Sequence, residues 1–351
     1  MSEILGKADH KMINKIKKYS GHNRPDVITG PGFGVDVSLV DIPGNLALAM
    51  TSDPLSLIPS LGLEESAWLS VHLMANDMAT TGFAPQFGQF VLNLPAGFTK
   101  EDFDTYWNYI HKFCDEIGTA ITGGHTGFIE GQNSTISGGG TLTTIAEKEK
   151  VKLSHNAKKG HKILVTKACA MSSAAILAKS FPDKLTGELG KEVQLQTEEL
   201  FFQTSSLQDA LTAVTTPEIE NSDISAMHDV TEGGVLGAIY ELAIASGNGV
   251  LVDNEKIPKN QNIEQVCSVF DLDSRYVIGA GSMIICCTPE ASEKISAHLN
   301  ENGIRCSEVG ELTDENEGIK VTTNGISEDI IYFEEDPYWS AFFNALKSGW
   351  K

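Results

Sequence analysis

Positive charge is what this chain has least of: 26 Lys and Arg stand against 47 Asp and Glu, a formal net charge of −21 at pH 7. No block of five or more Lys or Arg occurs anywhere. The electrostatic footprint for a phosphate backbone is therefore missing, which excludes nucleic acid as a partner. Long apolar runs are missing too. None approaches the roughly 18 residues that a bilayer span requires, and Met1 to Ser20 is a Lys-rich amphipathic stretch without a signal-peptide core. A cytoplasmic protein with no membrane attachment is the expectation. CxxC pairs are absent among the six cysteines, Cys114, Cys169, Cys267, Cys286, Cys287 and Cys306, and Cys286 and Cys287 sit inside an apolar run. They read as reduced core thiols. No internal repeat with a period of about 20 to 50 residues is present.

What is present is a chain of 351 residues, 41% of them hydrophobic, which is enough for a sizeable core and long enough for two domains. Apolar runs alternate with helical periods throughout, so the fold class is α/β or α+β. Strands are expected at Asp36 to Ile42, Leu46 to Ser52, Gln86 to Leu94 and Thr135 to Ala146. The Gly44-Asn45 step makes the first two an antiparallel hairpin. Helices are expected at Glu64 to Thr81 and Lys100 to Ile117, the second with Phe103, Trp107, Ile110, Cys114 and Ile117 at intervals of three and four. The polar, lysine-rich segment Glu147 to Gly160 divides the chain into domains 1–150 and 151–351. In the second domain we expect a strand at Ile163 to Thr166, a small-residue helix at Met171 to Lys179 and one long helix from about Lys191 to Val214. A strand-to-helix unit over Ser225 to Gly247 follows, then strand Met283 to Thr288, helix Pro289 to Asn302 and strand Cys306 to Leu312.

Three aspartates interrupt apolar or small-residue surroundings. Asp36 follows the turn Gly30-Pro31-Gly32-Phe33-Gly34, Asp53 ends the second strand, and Asp77 lies inside the helix Val71 to Ala79. The hairpin would bring Asp36 and Asp53 together at its open end, where two carboxylates repel unless a hard divalent cation lies between them. Each is also an ordinary turn or strand-end residue. The mid-helix pair Asn76-Asp77 is harder to place without a partner, because an unpaired buried carboxylate is costly. On so acidic a surface an anionic nucleotide approaches against the field, and Mg²⁺ would invert the local charge.

Two further glycine-rich runs, Thr122 to Gly127 and Ser137 to Thr141, read as turns whose N–H groups suit phosphate or as plain loops. His125, in the first, is open to three roles: metal ligand, phosphate donor or loop residue. Asp229-Val230-Thr231-Glu232-Gly233-Gly234 opens an apolar helix, either as an anion site at its N-terminus or as simple capping by Thr231. Lys167 ends a strand ahead of a small-residue helix but lacks the Walker pattern.

Taken together, Gly34 to Val40, Thr51-Ser52-Asp53, Val71 to Pro85, Gly123-Gly124-His125-Thr126, Met227 to Gly234, Gly279 to Met283 and Val309 to Leu312 resemble, in order, the aminoimidazole ribonucleotide synthetase-like superfamily. The likeness runs from about Gly30 to Thr323 and is closest to the hydrogenase-maturation branch. It implies a two-domain fold whose N-terminal mixed sheet forms a barrel shared by two subunits, with an α/β C-terminal domain and ATP in the cleft between them. It also implies Mg²⁺ on Asp36, Asp53 and Asp77, and nucleotide contacts from Gly34, Asp77, Gly123, Gly124, Thr126, Lys167, Thr231 and Gly233. Asp229 and His125 are the catalytic candidates. The chemistry implied is phosphoryl transfer from ATP to an oxygen of a small substrate.

Several features depart from the branches. The last cysteine is Cys306 and the chain ends Lys347-Ser348-Gly349-Trp350-Lys351, so the thiocarbamate tail chemistry of the hydrogenase-maturation enzyme is not expected. Nothing before Cys114 matches the reactive cysteine of selenophosphate synthetase, and Val35-Asp36 stands where thiamine monophosphate kinase has paired aspartates. Gly124-His125 replaces a common Gly-Gly-Asp. The substrate therefore stays open, and so do two other readings: a maturation factor whose ATP occupancy controls docking to a partner protein, and a thiamine monophosphate kinase-like kinase. A homodimer is also expected from patterning, since Leu46 to Met50 and Gln86 to Leu94 are apolar on both sheet faces.

Overall fold

The computed structural model describes residues 7, 8 and 10–351. The N-terminal half runs α1 (His10–Lys18), β1 (Val27–Thr29), β2 (Ser38–Ile42), β3 (Leu46–Ser56), α2 (Leu63–Ala79), β4 (Phe87–Pro95), α3 (Lys100–Glu116), β5 (Ala120–Ile129) and β6 (Ile136–Glu147). Its strands form one mixed sheet in the order β1-β2-β3-β6-β4-β5. Gly44 and Asn45 both take positive φ in the tight β2–β3 turn, which pairs Ile42 with Leu46 and Ser38 with Met50. Beyond Met50 the strand β3 continues to Ser56 against β6 alone. Asp53 therefore lies within β3 and not at its end, on a stretch where one edge has no strand beside it. Pro54, which has no N–H to donate, is tolerated there for the same reason.

Helix α2 is buried on nearly every side, from Ser66 to Ala79, because it lies between this sheet and the second one. Its Met74 and Met78 share a core with Leu92 and Leu142 of the first sheet and with Met227 and Ile285 of the second. α3 starts on a Thr99–Asp102 capping box and buries Tyr106, Ile110, Phe113 and Cys114, while Phe103, Trp107 and Ile117 pack at its margin.

The C-terminal half comprises β7 (Lys162–Thr166), α4 (Met171–Ser180), α5 (Pro182–Leu189), α6 (Lys191–Glu198), α7 (Leu207–Val214), β8 (Ile224–Asp229), α8 (Gly234–Ser246) and β9 (Gly249–Asp253). It continues with α9 (Gln261–Val269), β10 (Met283–Cys287), α10 (Pro289–Glu301), β11 (Cys306–Thr313), β12 (Ile319–Thr323), β13 (Ile326–Asp329) and α11 (Pro337–Lys347). Its sheet has the order β13-β12-β9-β11-β7-β10-β8. All six cysteines are free and buried, and burial pushes the Cys286 thiol up to about 12. Among the described residues no helix is long and apolar enough to cross a membrane.

Three expectations are corrected here. The long helix from Lys191 to Val214 is broken between α6 and α7, because the backbone at 203–206 is held by side chains from elsewhere. The Asn76 amide donates to Thr204 O at 3.0 Å and accepts from Ser206 N at 2.7 Å, and the Lys167 ammonium bonds the carbonyls of Gln203, Ser205 and Gly281. The glycine-rich run at 122–127 is no turn but the middle of β5. A Cβ on Gly124 would lie 1.8 Å from the Phe90 carbonyl of β4, so glycine is there for close strand approach. The run at 137–141 likewise lies inside β6. Finally, the segment joining the two halves is not a solvated linker: Val151, Lys152, Leu153 and Ser154 are all buried.

Candidate functional site

The strand-end and helix positions picked out above converge where the two halves meet. β3 supplies Asp53, α2 supplies Asp77, the segment before β2 supplies Asp36, and the end of β8 supplies Asp229. Met227 packs toward α2, and Asp229, two residues on, lies on the same face of β8. The Thr51 hydroxyl, two residues before Asp53 on β3, donates to Asp77 Oδ2 at 2.6 Å.

The carboxylates are close enough to oppose each other's ionisation. Burial raises Asp77 well above the usual carboxylate range, and repulsion from Asp229, Asp53 and Asp36 adds to it. Asp229 is pushed up to about 7 by burial and by Asp36, against the pull of His228 and Lys7. Burial likewise lifts Asp53 to about 6. Two cations answer this charge. His228, 1% exposed, bonds through Nδ1 to Asp36 at 2.7 Å and through Nε2 to Glu241 at 3.4 Å. Burial acts against its protonation, but the Asp36 and Glu241 carboxylates prevail and hold it up at about 10. Lys7 approaches from the rim, its side chain 45% exposed, with Nζ 2.7 Å from Thr231 Oγ1 and 3.5 Å from Glu241. Glu241 is held down at about 2, burial notwithstanding, by Lys7, by His228 and by the Tyr332 hydroxyl, which donates to it at 3.0 Å. Tyr332 stacks on Tyr240 and meets Phe33 edge-on, so an aromatic wall stands beside the acids.

The donor set fits a hard divalent cation: carboxylate oxygens whose mutual repulsion a cation would remove, backed by a hydrogen bond to Asp77. Among the described residues no three of these side chains already converge on one ligand point. A cation held by three of them would require side-chain rotation.

The other sequence-predicted residues are placed differently. Gly34 packs its Cα against α8, where a Cβ would fall 2.5 Å from the Glu241 carbonyl; close contact between the halves explains the glycine. The Gly233 N–H, expected to face an anion, donates to the buried Asp336 carboxylate at 2.7 Å. The Thr231 hydroxyl is met by Lys7. Lys167 has its ammonium engaged by three carbonyls and by Asp209 at 3.0 Å. Gly123, Gly124, His125 and Thr126 lie on edge strand β5, separated from β3 by β6 and β4. At three strand spacings, about 14 Å, His125 is not joined to the aspartates of its own chain. It lies beside Val91 on the exposed sheet face.

Sequence reasoning missed Lys7, His228, Glu241, Tyr332 and Asp336. Glu241 carried a signal of the kind that marked Asp77, a lone acid in an apolar helix. His228 adjoins Asp229 in a run already singled out. Lys7 and Asp336 reach the site from 224 and 103 residues away from their partners, and no local pattern reveals that.

Comparison with known proteins fits this geometry. Residues 34–145 match the family described as AIR synthase related protein, N-terminal domain, and residues 158–322 match its C-terminal domain. A hydrogenase expression/formation protein of Methanocaldococcus jannaschii is 26% identical over 260 residues, 73% of this chain and 72% of that one. The carbamoyl dehydratase HypE of Rhizobium leguminosarum bv. viciae is 23% identical over 304 residues, 83% of this chain and 81% of that one. Among solved structures, the hydrogenase maturation protein HypE in complex with ATP superposes with a TM-score of 0.64 at 19% identity, covering 95% of this chain and 97% of that one.

Proposed function

Because the chain belongs to the AIR synthase related family through both its N-terminal and its C-terminal domain, we propose that it is an ATP- and Mg²⁺-dependent enzyme that transfers a phosphoryl group to an oxygen of a small substrate. The observation that carries this reading is the cluster of Asp36, Asp53, Asp77 and Asp229, drawn from both halves and short of positive charge. The relatives support it, one being a carbamoyl dehydratase and another, at fold level, binding ATP. Residues 1–150 and 151–351 are the two domains, with the nucleotide in the cleft between them. Asp36, Asp53 and Asp77 hold Mg²⁺, which supplies charge neutralisation at the transferring phosphoryl group. Asp229 completes the set from the C-terminal half and is the group we assign to the reaction itself. Thr231, with Lys7 beside it, stays a nucleotide contact. Gly34, Gly233 and Lys167 serve instead to pack and brace the site.

Turnover separates this reading from a maturation factor that uses ATP only to control docking. ADP release should rise at least about tenfold, the effect of a positioned acceptor, with one member of a panel of carboxylates, amides and thiamine monophosphate. Saturable ATP binding with no turnover on any acceptor would favour the docking role.

The protein acts, on this reading, as a homodimer through the outer face of the first sheet. Phe87, Val91, Ile129 and Ile145 are 41%, 40%, 45% and 40% exposed there, apolar side chains that a second copy would cover. Two-fold pairing would cover it, with His125 at the contact. Light scattering at low micromolar concentration should give about twice the 37.8 kDa chain mass. A monomer there would sink the dimer.

A further inference from the structure

We infer that His228 is a positioning residue for the cation site, holding Asp36 in register across the join between the two halves; the inference rests on the cation reading above. Asp36 precedes β2 and so lies outside any strand that would fix its direction. Its carboxylate is 11% exposed and has His228 Nδ1 at 2.7 Å. That ring is itself pinned. Its Nε2 faces Glu241 on α8 at 3.4 Å, and Ser154 Oγ, from the buried joining segment, stands 3.2 Å from Nδ1. Glu241 is fixed in turn by the Tyr332 hydroxyl at 3.0 Å. A chain of bonds thus runs from Tyr332 through Glu241 and His228 to Asp36, and it begins in the half of the molecule that Asp36 does not belong to.

Without that bond Asp36 has every reason to turn away, since Asp77 and Asp229 both repel it. A donor that orients an oxygen ligand typically changes metal affinity by about 10- to 100-fold when removed. His228 does not itself serve as a ligand here, because both ring nitrogens are engaged by carboxylates. It sets where a ligand points.

Asparagine places its amide near the Nδ1 position and glutamine near Nε2. His228→Asn should therefore keep the bond to Asp36 and lose the one to Glu241, while His228→Gln should do the reverse. With Mn²⁺ alone as the probe, followed by the electron paramagnetic resonance of the free ion, His228→Gln should weaken binding about tenfold or more and His228→Asn should stay near native. A role confined to filling the core would follow the melting temperatures of the two variants and not this order. Equal affinities in the two variants, or the reverse order, would overturn the inference while leaving the cation site standing. A native chain that binds no Mn²⁺ would overturn both. Should either variant not fold, the native protein still decides: Mg²⁺ should shift the ¹⁵N resonance of His228 Nδ1, and an unmoved resonance refutes the coupling.

Discussion

Asp77→Asn and Asp53→Asn should each abolish Mg²⁺-dependent nucleotide binding without unfolding the protein. The carboxylates stand in a group that is already too negative: Asp77 is raised well above the normal range by burial and by three other aspartates, and Asp53 is lifted to about 6. A divalent cation is what such a group binds, and removing one charged ligand from it should lower affinity by about two orders of magnitude or more. Asparagine keeps the shape, and at position 77 its carbonyl can still accept from the Thr51 hydroxyl, now 2.6 Å from the carboxylate. The cation-free variants should hold or gain stability, because each removes repulsion. The sign follows from proton uptake. A carboxyl whose folded pKa exceeds its unfolded value penalises the fold at high pH, and the penalty lifts as pH falls through the folded pKa toward the unfolded one. For Asp53 that window runs from about 6 down to 3.8, so the gain from Asp53→Asn should be full at pH 8 and nearly gone by pH 4. Titration calorimetry with Mg²⁺-ATP and melting curves in EDTA measure the two halves of this expectation. Normal nucleotide binding in both variants would mean the metal assignment is wrong.

Local chemistry made part of this protein legible. Gly44-Asn45 fixed the first hairpin because both residues tolerate positive φ, and the apolar period of α3 survived unchanged because its capping box and core face agree. Asp77 stood out because a carboxylate inside an apolar helix needs an answer. What escaped was decided at long range. The break between α6 and α7 is made by Asn76 and Lys167, which belong to other elements, and no propensity within 191–214 foretells it. β5 carries glycines where a strand usually alternates, so its sequence resembles a turn until the carbonyl of Phe90 is seen against Gly124. Gly124 and Gly34, which stand in runs that suit phosphate, are set against backbone carbonyls, and the Gly233 N–H is turned to the Asp336 carboxylate. Cations were the hardest to foresee. The chain is so acidic that Lys7 and His228 gain their importance only from the carboxylates the fold brings around them.

Binding of Mg²⁺-ATP should in consequence stabilise the protein strongly, and only when the cation is present. A ligand held by the folded state alone adds about 2.7 kcal/mol at a hundred times its dissociation constant, and here it would also cancel the repulsion among Asp36, Asp53, Asp77 and Asp229. ATP without the cation brings more negative charge to a chain of net charge −21 and to four aspartates that, among the described residues, Lys7 and His228 answer. The decisive measurement is the melting temperature of the full chain in three solutions: no nucleotide, ATP with excess Mg²⁺, and ATP with EDTA. A rise of several degrees confined to the Mg²⁺-ATP sample is the predicted result; no rise, or the same rise in EDTA, would contradict a cation-dependent nucleotide site at these four aspartates.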